Sequence, residues 1–182
     1  RRAVEHEALV ALAARDVGIR TPRLAAFARA EPAGFVLAYE AIEGRSLDRL
    51  EPDEVTDDLL DGVWRLLATL RRHGIAHRDL RLANVFMDDH GDAWIIDFGF
   101  SELAASDTLL ATDVAELIAS TAAVVGPERS VARAVGALGA DVARTALPRL
   151  RPAMLSGATR TAMKADPDCL PEVCRRLEAT RG

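Results

Sequence analysis

Two short runs concentrate the polar groups that could do chemistry. The first is His77-Arg78-Asp79-Leu80-Arg81-Leu82-Ala83-Asn84; the second, after a gap of hairpin length, is Asp97-Phe98-Gly99. Asp79, midway along the first run, can orient an attacking hydroxyl and accept its proton. Asn84 and Asp97 offer an amide oxygen and a carboxylate from neighbouring segments, hard ligands of the kind magnesium takes. Arg81, two residues after Asp79, supplies a positive charge where a transferring phosphate would need neutralising. The set suits phosphoryl transfer, in which the protein does little covalent work and mostly places charge.

Such residues need elements to hold them. Thr56-Asp57-Asp58 is a helix-start signal, with acids at the positive end of the dipole. The helix it opens runs through Leu59, Leu60, Val63, Leu67 and Leu70 and stops at His73-Gly74. From Ile75 to Asn84 the pattern is neither helical nor strand-like. The VFM and WII runs then flank Asp88-Asp89-His90-Gly91-Asp92, which reads as a hairpin. Upstream, residues 3–16 have helical spacing around Val4, Ala8 and Leu12, with Gly18 as the stop. RLAAFARA and FVLAY read as strands joined by the turn Glu31-Pro32-Ala33-Gly34, Gly44 closes this piece, and Ser46 can cap a short helical turn.

Beyond Leu109 every segment reads as helix: one to Val125, a stop and restart at Gly126-Pro127, then 129–138, and 140–150 bent by Pro148. Residues 153–182 read as a loosely attached tail. This order predicts an α+β fold with segregated helices.

Composition narrows the class. The chain has 182 residues, 49% hydrophobic and 28% charged, which fits one globular domain. A net charge of −5 with interspersed signs argues against a nucleic-acid partner. Arg71-Arg72, Arg149 with Arg151, and Arg175-Arg176 read as solvated helix faces. Cys169 and Cys174 read as unpaired thiols of a reducing, cytoplasmic compartment. No signal peptide or apolar run of bilayer length is expected, and Leu117–Val125, interrupted by Ser120 and Thr121, reads as a buried helix.

The two runs resemble the H-R-D-L-x-x-x-N loop and D-F-G site of the protein kinase superfamily. The resemblance implies a protein kinase-like fold with a mainly helical C-lobe, using ATP and magnesium. It makes Asp79 and Arg81 catalytic and Asn84 and Asp97 metal ligands. His77 and Phe98 would stack in a hydrophobic spine, Arg78 would tie the loop to its surroundings, and Asp113 would hydrogen-bond the loop backbone. Glu7, in preference to Glu5, resembles the N-lobe helix glutamate that pairs with a strand lysine. Leu37 to Gly44 resembles the strand and hinge, with Tyr39 as gatekeeper and backbone groups of Glu40 and Ile42 meeting adenine. The divisions implied are a partial N-lobe over 1–44, a C-lobe over 45–152 and a helical tail or linker over 153–182.

The sequence also departs from that pattern. Only six residues precede Glu7, the first glycine is Gly18 and the single lysine is Lys164. No glycine-rich loop or strand lysine therefore precedes Glu7. With Arg1 in place of an initiator methionine, the chain reads as a fragment with a truncated N-lobe. No A-P-E tripeptide follows Gly99, and only Phe100 to Thr112 separate it from Asp113. That compactness resembles small-molecule kinases more than phosphorylation-switched peptide kinases.

HGIAHRDLRLANV, IIDFGFSELAASD, DVAELIAS and LSGATR also resemble the kinase-like N-terminal region of actinobacterial lysylphosphatidylglycerol synthase or flippase-like membrane proteins. The expected partners are a nucleotide, a hydroxyl acceptor on a small molecule, lipid or protein, and an attached membrane domain outside this chain. The expected function is phosphotransfer; the alternative is a pseudokinase module regulating that membrane domain.

Overall fold

The computed structural model describes residues 2–31 and 34–180, so Pro32 and Ala33 of the expected turn lie outside the described residues, as does Arg1. Helix α1 (Arg2–Asp16) ends at Gly18, whose φ of 91° suits a residue without Cβ. The Ile19 N–H returns to the Ala14 carbonyl at 3.0 Å to close it. Its buried face differs from the expected one: Ala8, Val10, Ala11 and Ala14 point inward, and Leu12 is half exposed. Alanines three apart let the backbone approach its neighbours, and the larger leucines are left outside.

Strands β1 (Leu24–Ala30) and β2 (Gly34–Tyr39) form an antiparallel pair. Strands β3 (Gly44–Ser46), β4 (Val85–Asp88) and β5 (Ala93–Ile95) form a second antiparallel sheet in the order β3-β4-β5. The segment between α1 and β1 touches both sheets: Ile95 donates its N–H to the Arg20 carbonyl and Glu40 to the Arg23 carbonyl, each at 2.9 Å. In the expected hairpin, Asp88 Oδ1 accepts the N–H groups of His90 and Asp92 at 2.9 Å. Its Oδ2 accepts the Trp94 indole N–H at 2.8 Å, so one carboxylate fixes the turn.

Helix α2 (Asp57–Arg72) starts where expected, with the Thr56 hydroxyl accepting the Leu59 N–H at 3.2 Å. It buries Leu59, Leu60, Val63, Trp64, Leu67 and Leu70. Helix α3 (Asp107–Val125) ends at Gly126, at φ 85°, and α4 (Pro127–Leu138) restarts directly. Helix α5 (Ala140–Arg144) stops earlier than expected, because Pro148 cannot donate to a helical ladder and residues 147–149 tighten into a 3-10 turn.

Two expectations are corrected here. Residues 153–180 are not loosely attached: Leu155 and Met163, on either side of helix α6 (Gly157–Ala162), and Cys169, Val173 and Leu177 of helix α7 (Cys169–Ala179) enter the main core. The last three recur every four residues, a helical stripe that the flanking prolines obscure in the sequence. Burying a side chain such as Val173 or Leu177 contributes about 1.5–3 kcal/mol, too much for a frayed tail. Second, α3 does have the length and apolarity of a membrane span. It is instead the central helix of the core, and it buries Asp113 and Glu116 with hydrogen-bonded partners.

Candidate active site

The segment from Ile75 to Asn84, which no repeat pattern organises, is held from α3. Asp113 accepts the His77 N–H on Oδ2 at 2.6 Å and the Arg78 N–H on Oδ1 at 2.7 Å, as the sequence led us to expect. Arg78 has φ 67°, a left-handed conformation costing roughly 1–2 kcal/mol in a residue with a Cβ. These two hydrogen bonds to the Asp113 carboxyl offset that strain. Burial pushes the Asp113 carboxyl up to about 7 and Glu116 adds to the rise, while the two N–H donors and Arg78 oppose it.

His77 is fully buried, and burial lowers its pKa, which keeps the ring neutral. Its Nδ1 accepts the Asp79 N–H at 3.4 Å, which assigns the proton to Nε2, 2.9 Å from the Ile96 carbonyl. The ring meets Phe98 edge-on, centroids 5.0 Å apart. His77 is thus a scaffold for the loop.

The two runs meet through backbone. The Ile96 N–H donates to the Asn84 carbonyl at 3.0 Å, so the residue before Asp97 is bonded to Asn84. Asp97 is itself left-handed, at φ 65°. Within the first run, Asn84 Nδ2 donates to the Asp79 carbonyl and to Asp79 Oδ2, both at 2.9 Å. Arg81 Nε donates to the same Oδ2 at 3.2 Å. Asn84 Oδ1 is left as an acceptor, and Asp79 Oδ1 takes no partner among the described residues.

A cavity of about 330 Å³ opens beside Asp97, lined by Glu7, Tyr39, Ile42, Phe86 and Phe98 among others. Tyr39 donates its hydroxyl to Glu7 Oε1 at 3.2 Å. At Gly99 an added Cβ would lie 3.2 Å from Asp97 Oδ1 and 3.6 Å from Glu7 Oε2, so a bare glycine leaves both carboxylates their room. Glu40 lines an adjoining hollow of about 270 Å³ that shares Ile42 and Pro22 with the first. The structure therefore gathers Glu7, Tyr39, Ile42 and Asp97 around one cavity. Asp79, Arg81 and Asn84 form a separate bonded cluster, joined to it through Ile96 and Asp97.

Residues 24–135, more than half of the chain, match the protein kinase domain family. The chain belongs to that family. It is 34% identical over 110 residues to a serine/threonine-protein kinase, drp72, of Corynebacterium efficiens, covering 56% of this chain and 21% of the relative. Serine/threonine-protein kinase PknL of Mycobacterium tuberculosis is 33% identical over 99 residues, 51% of this chain and 24% of the relative. Cysteine-rich receptor-like protein kinase 28 of Arabidopsis thaliana is 32% identical over 108 residues, 53% of this chain and 16% of the relative. The chain thus matches no more than about a quarter of the length of these kinases.

In this kinase domain the Tyr39 phenol is held well above its usual pKa, first by burial and then by the Glu7 charge, so it stays protonated and donates. Glu40 turns its carboxylate to Arg23, whose Nε donates at 2.8 Å, and that hydrogen bond lowers the Glu40 pKa.

Two residues of the site left no signal in sequence spacing. Ser101 donates its hydroxyl to the His77 carbonyl at 3.1 Å, and its own carbonyl lies 2.8 Å from His6 Nε2. They link α1 to the loop across 95 residues of chain, a separation no local motif can encode. Arg78 reaches Glu102 at 3.6 Å, and Ala76 and Glu102 exchange backbone hydrogen bonds of 3.0 and 2.8 Å. The loop is thereby tied to the segment after Gly99.

Proposed function

We propose that this chain carries the catalytic loop of an ATP- and magnesium-dependent phosphotransferase acting on a hydroxyl. The observation that carries the reading is the bonding at Asp79, where Arg81 and Asn84 both hold Oδ2 and leave Oδ1 unclaimed. A carboxylate fixed at one oxygen can orient an acceptor hydroxyl at the other and take its proton. Arg81, fixed beside it, offsets phosphate charge.

Among the described residues no group of three or more histidine, cysteine, aspartate or glutamate side chains could hold a metal. Asn84 Oδ1 and the Asp97 carboxylate nonetheless fit magnesium, which accepts few protein oxygens and completes its shell with water and phosphate. Bound there, magnesium would neutralise phosphate charge. Tyr39 and Phe98 line the apolar side of the cavity, and the Glu40 carbonyl and Ile42 N–H take no backbone partner among the described residues, which suits a base edge.

The names of the relatives support a hydroxyl acceptor of the serine or threonine kind. The short link after Gly99 supports a small molecule or lipid headgroup instead of a peptide: helix α3 starts at Asp107, with the Ser106 hydroxyl accepting the Leu109 N–H. Little chain is left to form a docking platform. The narrower reading, a kinase-like region of an actinobacterial membrane protein at its cytoplasmic face, rests on the sequence runs quoted above.

In the full-length protein, Asp79→Asn should lower turnover by a factor on the order of 10² to 10⁴ while circular dichroism stays unchanged. Asp97→Ala should abolish magnesium-dependent ATP binding in calorimetry. Undiminished turnover in Asp79→Asn removes the base. A parent that binds ATP without turning it over supports the regulatory pseudokinase reading.

A further inference from the structure

A second cavity, about 640 Å³ against about 330 Å³ for the one at Asp97, lies between the 150–155 turn, α6 and α7, and the phosphotransfer reading does not use it. Its volume is in the range of small-molecule sites. The floor is core: Leu150, Leu155 and Met163 are buried members of the main cluster, and Leu170 forms a wall. Pro152, Pro167 and Pro171 line it as well. A proline has no N–H and a fixed φ, so this lining strands few donors against an apolar guest and is already ordered before one arrives. Burial, followed by the charge of Glu178, raises the pKa of the Cys174 thiol in the wall, so it adds no thiolate charge.

Along the 150–155 turn and α6 the charge is of one sign. From residue 142 to 165 the chain carries Arg144, Arg149, Arg151, Arg160 and Lys164 and no acidic residue. Arg160 and Lys164 line the cavity, are exposed, and have no carboxylate within ion-pair distance among the described residues. The Arg160 guanidinium reaches only the Pro152 carbonyl, at 3.5 Å. On α7, the nearby Glu172 is already taken by Arg175 and Arg176. Asp166, beside Cys169, and Glu178, beside Cys174, are acids that remain on the α7 side.

We propose that this cavity binds a single-chain anionic amphiphile from solution. Its hydrocarbon chain lies on Leu150, Leu155, Met163 and Leu170, and its carboxylate or phosphate head lies at Arg160 and Lys164. The cavity shares no lining residue with the one at Asp97, so the proposal stands apart from the phosphotransfer reading.

Calorimetric titration of the 182-residue protein with dodecanoate, kept below its micelle concentration, should give saturable one-to-one binding. Dodecyl phosphate should bind similarly and dodecyltrimethylammonium should bind more weakly. The double variant Arg160→Glu, Lys164→Glu should weaken dodecanoate on the order of tenfold, the scale of two partly exposed charge contacts, with thermal unfolding unchanged. In the parent, dodecanoate should also slow alkylation of Cys174 by iodoacetamide. Absence of saturable binding, equal affinity for the cationic amphiphile, or no effect of the charge reversal overturns the proposal. Binding to vesicles of anionic phospholipid without binding to dodecanoate overturns it as well.

Discussion

Strands β1 and β2 pair with each other and bury none of their described residues, whereas α3 buries twelve of its nineteen. Tyr39 of the first region lines the cavity beside Asp97, and the second region anchors, through Asp113, the His77–Asn84 loop that adjoins it. The buried side carries strained backbone, with Arg78 and Asp97 both at positive φ. Such residues cost about 1–3 kcal/mol each and persist only where packing over-determines them. The sheet side is held by an exposed tie, Arg23 to Glu40, and a half-buried one, Tyr39 to Glu7, which can yield without unfolding the domain. A fixed bed under the Asp79 loop and a more compliant wall at Tyr39 follow from where the apolar residues were placed.

The contrast breaks most directly at Asp113. Asp113→Ala strands the buried N–H group of His77, worth about 1–3 kcal/mol when unpaired, and frees that of Arg78, which lies nearer solvent. Urea unfolding of the variant should therefore show a loss of about 2–4 kcal/mol. A loss below about 1 kcal/mol would mean that the loop sustains its own strain.

The same residue gives a pH test. Its folded pKa, about 7, lies above its ordinary 3.8, so the native state holds this proton more tightly than the unfolded chain does. The stability this supplies is complete below about pH 4 and is lost as pH rises through about 7. Between about pH 4 and pH 8 the urea midpoint of the parent should fall further than that of Asp113→Asn. Parallel curves would mean that the two N–H donors outweigh burial.

Gly44 sits where the two regions join, and it sharpens the comparison. A Cβ there would lie 2.2 Å from the Met87 carbonyl oxygen and 2.8 Å from Asp88 Cα, both backbone atoms of β4. No side chain can move aside, so the strand that leads out of Asn84 must shift. Gly44→Ala should cost about 1–3 kcal/mol, the scale of overpacking. Hydrogen exchange should quicken at the Asp89 N–H, which donates to the Glu43 carbonyl at 3.2 Å. Unchanged protection there would mean that β3 slides while β4 holds.

The regions also differ in how much of them could be read from sequence. Thr56, Gly74, Gly126-Pro127 and the Asp88–Asp92 turn were legible because each acts through neighbours along the chain. Asp113 was legible only through family resemblance, since its partners lie 35 and 36 residues away. The His6–Ser101–His77 chain left no trace for the same reason. The face of α1 was misread because alanines count weakly in a hydrophobic pattern although they pack most closely. The docking of α7 was missed because three buried residues four apart stand among prolines and arginines.

The smallest expected effect tests the comparison itself, using one chemical change in both regions. Val36 on β2 is 51% exposed, and Val114 on α3 is fully buried. Val→Ala removes the same two carbons at each. At Val36 few contacts are lost and only strand preference opposes the change, so stability should move by no more than about 0.5 kcal/mol. At Val114 two buried methylene equivalents cost about 1.6 kcal/mol and the residual cavity adds to that. Alanine's better helix propensity returns at most about 0.7 kcal/mol. Val114→Ala should therefore cost about 1–3 kcal/mol, several times the Val36→Ala effect. Equal losses at the two sites would mean that the β1–β2 sheet is packed as firmly as α3, and the compliant wall would have to be abandoned.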